Sequence, residues 1–281
     1  MRSSFLSVIG AGIFPLLGLV ATPAQAQSPL GYVTARGSTV TPAYEGWYLN
    51  SDGTITLSWG FYNRNSEEEL EIPFGPRNFI EPASLDGAQP THFTAGRQWG
   101  AFGIVLPGDY AGDRVAWTIE IRGKTFMIPA NLSVDWEIDA LEGEADGNAP
   151  PLLALSDHGP WFAGPGGQYM DRVAAVGTPT DVTVWVRDDG VASSSVGSGG
   201  RQNAPVTLTW LKHSGPGEVV FAEESARIPA SGGSMATTAA FSIPGEYVLR
   251  VRANDASGVT GAGHSQCCWT NAFVRVTVRD E

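Results

Sequence analysis

Thr54-Ile-Thr-Leu-Ser-Trp-Gly-Phe-Tyr62 alternates residue by residue, with Ile55, Leu57, Trp59 and Phe61 on one face and Thr or Ser on the other. Successive side chains of a strand point to opposite faces, so a period of two predicts a half-buried β-strand. Asn50-Ser-Asp-Gly53 just ahead of it has the residues of a turn. Further on, Val115-Ala-Trp-Thr-Ile-Glu-Ile121, then Arg122-Gly-Lys124, then Thr125-Phe-Met-Ile128 reads as a hairpin with Gly in its turn. No window carries a helical period over about ten residues. The nearest, Ser66 to Leu70, is closed by Pro73, and Glu67-Glu-Glu69 reads as a solvated turn or strand edge.

The composition agrees with strands and turns. The 281 residues hold 35 Gly and 19 Pro, and only 16% are charged, while 42% are hydrophobic, enough for a sizeable core. The 29 acidic side chains outnumber the 17 basic ones, for a net charge of −12, which argues against nucleic acid or an anionic membrane surface as partner. Two cysteines do not make a disulfide scaffold.

The second half repeats the theme. Thr180-Asp-Val-Thr-Val-Trp-Val186 alternates, with Val182, Val184 and Val186 on one face, and Asp188-Asp-Gly190 is a turn. Val206 to Trp210, Glu218 to Phe221, Met235 to Phe241, Glu246 to Arg252 and Ala272 to Val278 follow as short strands. Such a series fits an immunoglobulin-like sandwich. Between the halves, Glu142-Gly-Glu-Ala-Asp-Gly-Asn-Ala-Pro-Pro151 has the composition of a linker. The expectation is therefore all-β: two tandem β-sandwich domains, residues 27–141 and 152–281, joined by 142–151.

The second of these carries a resemblance. Trp210-Leu-Lys-His-Ser-Gly-Pro-Gly217, then Phe241-Ser-Ile-Pro-Gly-Glu-Tyr-Val-Leu249, then Ala253-Asn-Asp255 ahead of a last strand, is similar to the PKD-like repeat of bacterial surface and secreted proteins. The resemblance covers roughly residues 150–279 and implies an immunoglobulin-like sandwich that serves as spacer, adhesion element or enzyme appendage. Ser193 to Asn203 and Gly261 to Asn271 look like insertions relative to that pattern. The first half resembles no family.

Residues 1–26 read as a secretory signal peptide of bacterial type: Arg2, an apolar stretch from Phe5 to Val20, and the cleavage sequence Ala24-Gln-Ala26. This predicts a periplasmic or extracellular destination and no integral membrane segment in the mature chain.

The chemistry-bearing residues are few. Cys267 and Cys268 are adjacent; in an oxidising compartment they form a vicinal disulfide, or pair between chains to give a dimer, or bind a soft metal with His264. Asp135-Trp-Glu-Ile-Asp139 puts Asp135, Glu137 and Asp139 on one face of a strand, either a solvated outer face or an oxygen-ligand site for calcium. Asp188, Asp189 and Asp255 are a second candidate set for calcium, with turn-capping by Asp the favoured reading. Trp59, Trp117, Trp185 and Trp210 lie inside alternating strands, as core residues do. Trp47, Trp99, Trp136, Trp161 and Trp269 have looser contexts, and Trp136, Trp161 and Trp269 are the ligand-facing candidates. The sequon at Asn131 is a coincidence for a bacterial export signal.

No Gly-x-Ser-x-Gly, His-Glu-x-x-His, phosphate loop or dinucleotide fingerprint is present, so no catalytic residue is assigned and no cofactor is expected. The leading expectation is an exported non-enzymatic binding or structural module, its partner a surface protein or a glycan. The alternatives are a secreted polysaccharide hydrolase using Asp135, Glu137, Asp139 or Glu81, and metal binding through the His264–Cys268 loop.

Overall fold

The computed structural model describes residues 33–112, 114–138, 148–191, 203–255 and 268–280. The signal sequence and most of the expected linker lie outside the described residues. So do both expected insertions apart from Asn203 and the segment from Cys268 on.

The first half contains β1 (Val40–Leu49), β2 (Ile55–Asn63), β3 (Leu70–Glu71), β4 (Asn78–Glu81), β5 (His92–Phe93), β6 (Gly96–Leu106), β7 (Ala116–Ile121) and β8 (Lys124–Pro129). Its two main sheets have the orders β1-β2-β6 and β4-β7-β8, with β3 and β5 as a short pair beside them. The expected turns are present. Gly53 N–H donates to Asn50 O at 2.9 Å between β1 and β2. At the β7–β8 hairpin Arg122 and Gly123 both have positive φ, 52° and 70°, as a two-residue mirror-image turn requires.

The second half contains β9 (Leu152–Ala154), β10 (Tyr169–Ala175), β11 (Thr180–Arg187), β12 (Val206–Ser214), β13 (Val219–Phe221), β14 (Ser225–Ile228), β15 (Gly233–Phe241), β16 (Gly245–Asn254) and β17 (Trp269–Arg279). One sheet runs β13-β15-β11-β9 and the other β10-β17-β16-β12-β14, with β10 parallel to β17 and the neighbouring pairs antiparallel. The pair of sheets encloses Val182, Val184, Leu208, Trp210, Phe241, Tyr247, Leu249, Val251, Val274 and Val276. Two marks of the immunoglobulin sandwich are in place. Trp210 is buried in the core, and the Tyr247 hydroxyl donates to Ile243 O at 2.9 Å, four residues upstream at the corner that leads into β16. The Pro-Gly-Glu-Tyr stretch thus makes a tyrosine corner. The fold is all-β and sandwich-like throughout.

In the first half the β1-β2-β6 and β4-β7-β8 sheets pack around Trp59, Phe61, Phe93, Phe102 and Trp117. Trp117 meets Phe102 edge-on at 5.1 Å between centroids, and Phe61 meets Phe93 at 5.0 Å.

The alternation of β2 does not separate core from solvent. Thr56 and Ser58, on its polar face, are 2% and 0% exposed. That face is covered by the outer face of β16 and β17 and by residues 164–167. An added Cβ on Gly103 would come within 2.7 Å of Gly166 Cα, so the two backbones pass in contact. Phe273 of β17 belongs to the first half's aromatic core. Residues 33–281 accordingly form one compact unit with two cores and a polar seam between them.

The seam makes the two cores one cooperative body. Urea unfolding followed by tryptophan fluorescence and by circular dichroism is expected to give one coincident transition. Glu45→Ala, which leaves buried guanidinium groups uncompensated, is expected to cost about 3–5 kcal/mol and to split the two probes apart. Two well-separated transitions in the unsubstituted protein contradict this coupling.

Candidate functional site

The polar seam is built by two irregularities on either side of one glycine. β1 shifts register between Tyr44 and Gly46, leaving Glu45 as an extra residue opposite β2. β6 shifts register against Trp59 and Phe61, so Trp99, Gly100 and Ala101 bulge past Gly60. A bulge frees backbone groups from the ladder, and these must find partners when buried. Gly100 N–H donates to Glu45 Oε2 at 2.5 Å. Arg250 Nη1 donates to Ala101 O at 2.7 Å, Arg252 Nη2 to Trp99 O, and Asn271 Nδ2 to Gly100 O at 2.6 Å. Gly60 is required for space: a Cβ there would lie 2.1 Å from Glu45 Oε1 and 2.3 Å from Gln98 O.

Glu45 is the charge centre. Its side chain is 1% exposed and its Oε1 accepts from Arg97 Nη2 at 2.7 Å. Ser58 Oγ donates to Oε2 at 3.3 Å. Burial raises the Glu45 pKa, and the Arg97 charge opposes that rise. Burial likewise lowers Arg250 well below the usual arginine range, with Arg252 adding repulsion, and pulls Arg252 down to about 10 against the attraction of Glu45. The arrangement holds two sheets together, and the carboxylate is buried among the described residues.

His213 sits at the edge of the same seam, donating from Nε2 to Ala88 O at 2.9 Å, with its ring 5.3 Å from Phe273. Burial, helped by the Arg250 charge, lowers its pKa to about 3. At the exposed rim Glu71 accepts from Lys212 Nζ at 2.7 Å and pairs with His92 Nδ1 at 2.8 Å.

The sequence-predicted residues are scattered. Asp135 and Trp136 lie in a 3-10 turn, Val134–Trp136, so the strand reading that aligned Asp135, Glu137 and Asp139 on one face does not hold. The turn forms because Trp136 and Glu137 N–H groups bond back to Ser133 and Val134 carbonyls, while Ile138 N–H bonds to Trp47 O at 2.7 Å. Asp139, His264 and Cys267 lie outside the described residues. Cys268 is fully buried. Among the described residues no three of His, Cys, Asp and Glu come together as a metal site.

Trp269 is 2% exposed, and its indole packs on Gly100, whose φ of +46° and missing Cβ make room for it. Trp269 is a seam residue, not a ligand-facing ring. Trp161 lies under the Arg187 guanidinium at 4.4 Å. Trp136 is 41% exposed, its ring 5.4 Å from Tyr44 and flanked by exposed Leu132 and Val134. Trp59, Trp117 and Trp210 are buried as expected. In the second half, Asp188 and Asp189 accept from Gly190 and Val191 N–H, which is the turn-capping role read from the sequence. Burial, with repulsion from Asp189 and Asp255, raises Asp188 to about 6.

No protein-family model and no curated protein matches the chain. Among solved structures it is similar to the D00-D0 domain of intimin, at 13% identity over 86% of this chain and all of that one, with a TM-score of 0.27. It is also similar to a PapD-like domain of human CEP192, at 6% identity over 54% of this chain and 99% of that one, TM-score 0.30. A third is the S-layer protein SbsC, domains 4 and 5, at 13% identity over 59% of this chain and 65% of that one, TM-score 0.24. The fold assignment rests on the sheet order and corner geometry given above.

Two pH dependences follow. A histidine whose pKa falls from 6.5 to about 3 on folding takes up protons only on unfolding between those values. The stability it allows is complete above pH 6.5 and is lost as pH falls below it. His213→Gln, which keeps a side-chain N–H for Ala88 O, is expected to remove about 2 kcal/mol of the stability lost between roughly pH 7 and 5; identical urea midpoints against pH for both proteins would refute this. Asp188 has the opposite sign, since its raised pKa disfavours the charged form in the folded state. Asp188→Asn is expected to melt higher than the parent above pH 6, with the gain vanishing as pH drops toward 3.8.

Proposed function

We propose that this protein is an exported, non-enzymatic binding or structural module whose second half is PKD-like. The observation that carries the reading is the pairing of a sealed polar seam with a fixed exposed apolar face. The charged groups that reach the interior are spent on backbone carbonyls and on one another, as a rigid body needs. At the surface, Leu132, Val134 and Trp136 are exposed on a turn closed by the Trp136 N–H to Ser133 O bond and tied to β1 through Ile138 N–H and Trp47 O. Exposed apolar patches of this kind serve contact with a partner surface. A surface protein or a glycan is the class of partner, reached after export directed by residues 1–26. In the oxidising compartment Cys268 pairs with Cys267 and stiffens the entry to β17.

Purified exported protein tests the reading. Intact mass without reductant is expected to fall one pair of hydrogens below the reduced chain, with no metal adduct. Binding to insoluble cell-wall polysaccharide or to whole envelopes is expected to drop at least about fivefold in Trp136→Ala, the scale of a lost aromatic contact of about 1 kcal/mol, with melting unchanged. Steady release of reducing sugar from any such polysaccharide would overturn the non-enzymatic reading. Retention in the cytosolic fraction would overturn the export reading.

A further inference from the structure

In the first half, a cleft of about 420 Å³ opens between the segment before β1 and the β7–β8 hairpin. Gly37, Ser38 and Thr39 form one wall, Phe126 lies within it, and Arg64, Arg122 and Lys124 bring three positive charges to it. Its volume falls in the range of about 300–1,000 Å³ usual for small-molecule sites. In a chain of net charge −12, three of the 17 basic residues meet in this one cleft.

Two of the three cations have partners that hold them in place. Arg122 stands on the left-handed turn that closes the hairpin, and its Nη2 donates to both oxygens of Glu68, at 2.9 and 3.0 Å. Glu68 in turn accepts from Gly37 N–H at 2.7 Å, so one carboxylate ties the wall to the arginine. That tie holds the Glu68 carboxyl below its usual pKa, chiefly through the Gly37 N–H. Arg64 lies over the Tyr62 ring at 5.5 Å. Among the described residues neither Arg64 nor Lys124 has a carboxylate partner. Lys124 and Phe126 are two apart on β8 and share a face, so positive charge and an aromatic ring are presented side by side.

We propose that this cleft binds a small oxyanion-bearing ligand: a carboxylate or sulfate carried on a ring whose face rests on Phe126. Arg64 and Lys124 take the anion, and Arg122, fixed by Glu68, closes the turn side. The chain's net charge of −12 disfavours a long polyanion, so a ligand with a single anionic group fits the cleft better. The site stands apart from the module reading, because a hydrolase would carry it equally well. Turnover of a polysaccharide would sink that reading and leave this one in place.

The test is a titration of the mature protein with glucuronate, inorganic sulfate and glucose, followed by amide chemical shifts. Glucuronate is expected to bind saturably, to shift amides of residues 37–39 and of the β7–β8 turn, and to weaken as salt is raised. Sulfate is expected to bind the same residues less tightly, and glucose not at all. In Arg64→Ala with Lys124→Ala, glucuronate affinity is expected to fall at least about tenfold, the scale of lost charge-assisted hydrogen bonds. An unchanged melting temperature in that variant, and a smaller loss in Phe126→Leu, distinguish lost contacts from lost folding. Failure of both anions to bind, or equal binding by the double variant, overturns the site. Sulfate binding as tightly as glucuronate overturns the part of the proposal that needs a ring.

Discussion

The structure depends on a carboxylate placed where water cannot reach it. Glu45 is an extra residue in its strand, and its side chain turns into the space that Gly60 leaves open. A lone carboxylate there would be intolerable, since the desolvation of an ion costs several kcal/mol even after relaxation. Arg97 and the Gly100 N–H answer it directly, and Arg250 and Arg252 add positive charge from the other half. Removing Glu45 leaves Arg250 and Arg252 buried without their countercharge. The two sandwiches are therefore bound by mutual dependence rather than by apolar area alone.

The bulge in β6 explains why such groups face one another. A regular β6 would use the carbonyls of alternate residues in the Trp99–Ala101 stretch to pair with β2. Bulged past Gly60, those carbonyls project toward β16 and β17 and need donors. Arg250, Arg252 and Asn271 supply them. The arginines are then satisfied largely by backbone rather than by carboxylates, so three guanidinium groups can surround a single acid. Charge at the seam fixes register, because a slip of one residue in β16 would exchange Arg250 and Arg252 for Leu249 and Val251 and present aliphatic side chains to orphaned carbonyls.

Much of the fold was legible in the sequence, for a simple reason. Alternation reports which residues share a face, and Ile55, Leu57, Trp59 and Phe61 do share one, as do Val182, Val184 and Val186. Gly at positive φ marked the turns at Gly53 and Gly123. Alternation does not report what covers the polar face. Thr56 and Ser58 read as the open side of a half-buried strand, and Glu246 to Arg252 read only as a strand; in the structure each of these faces is the other's cover. The available signal was weak: a glycine in mid-strand at Gly60, and two arginines spaced by one on a strand otherwise made of Val and Leu. Trp269 misled for the same reason, its neighbours being loop-like while its own side is sealed by Gly100. The Asp135 to Asp139 alternation misled because Ser133, two residues before Asp135, caps a 3-10 turn over Val134–Trp136 whose bonds no period of two anticipates.

With the polar seam consumed by the protein's own assembly, the proposed contacts fall at the rims. The described surface divides accordingly. At one place the 3-10 turn offers Trp136 with aliphatic neighbours and little positive charge. At another the hairpin turn and the strand beside it gather Arg64, Arg122 and Lys124 around Phe126. Both lie on the first half, on turns anchored by backbone and carboxylate bonds to strands that the seam holds rigid. The second half contributes the opposite face of that seam, the arginines that neutralise Glu45 and the aromatic ring of Phe273. Its part in the proposed contacts is indirect: by filling the polar side of β2 it braces the β1-β2-β6 sheet, to which the Trp136 turn is tied through Trp47, and a change at Arg250 would reach that sheet through Ala101 and β6.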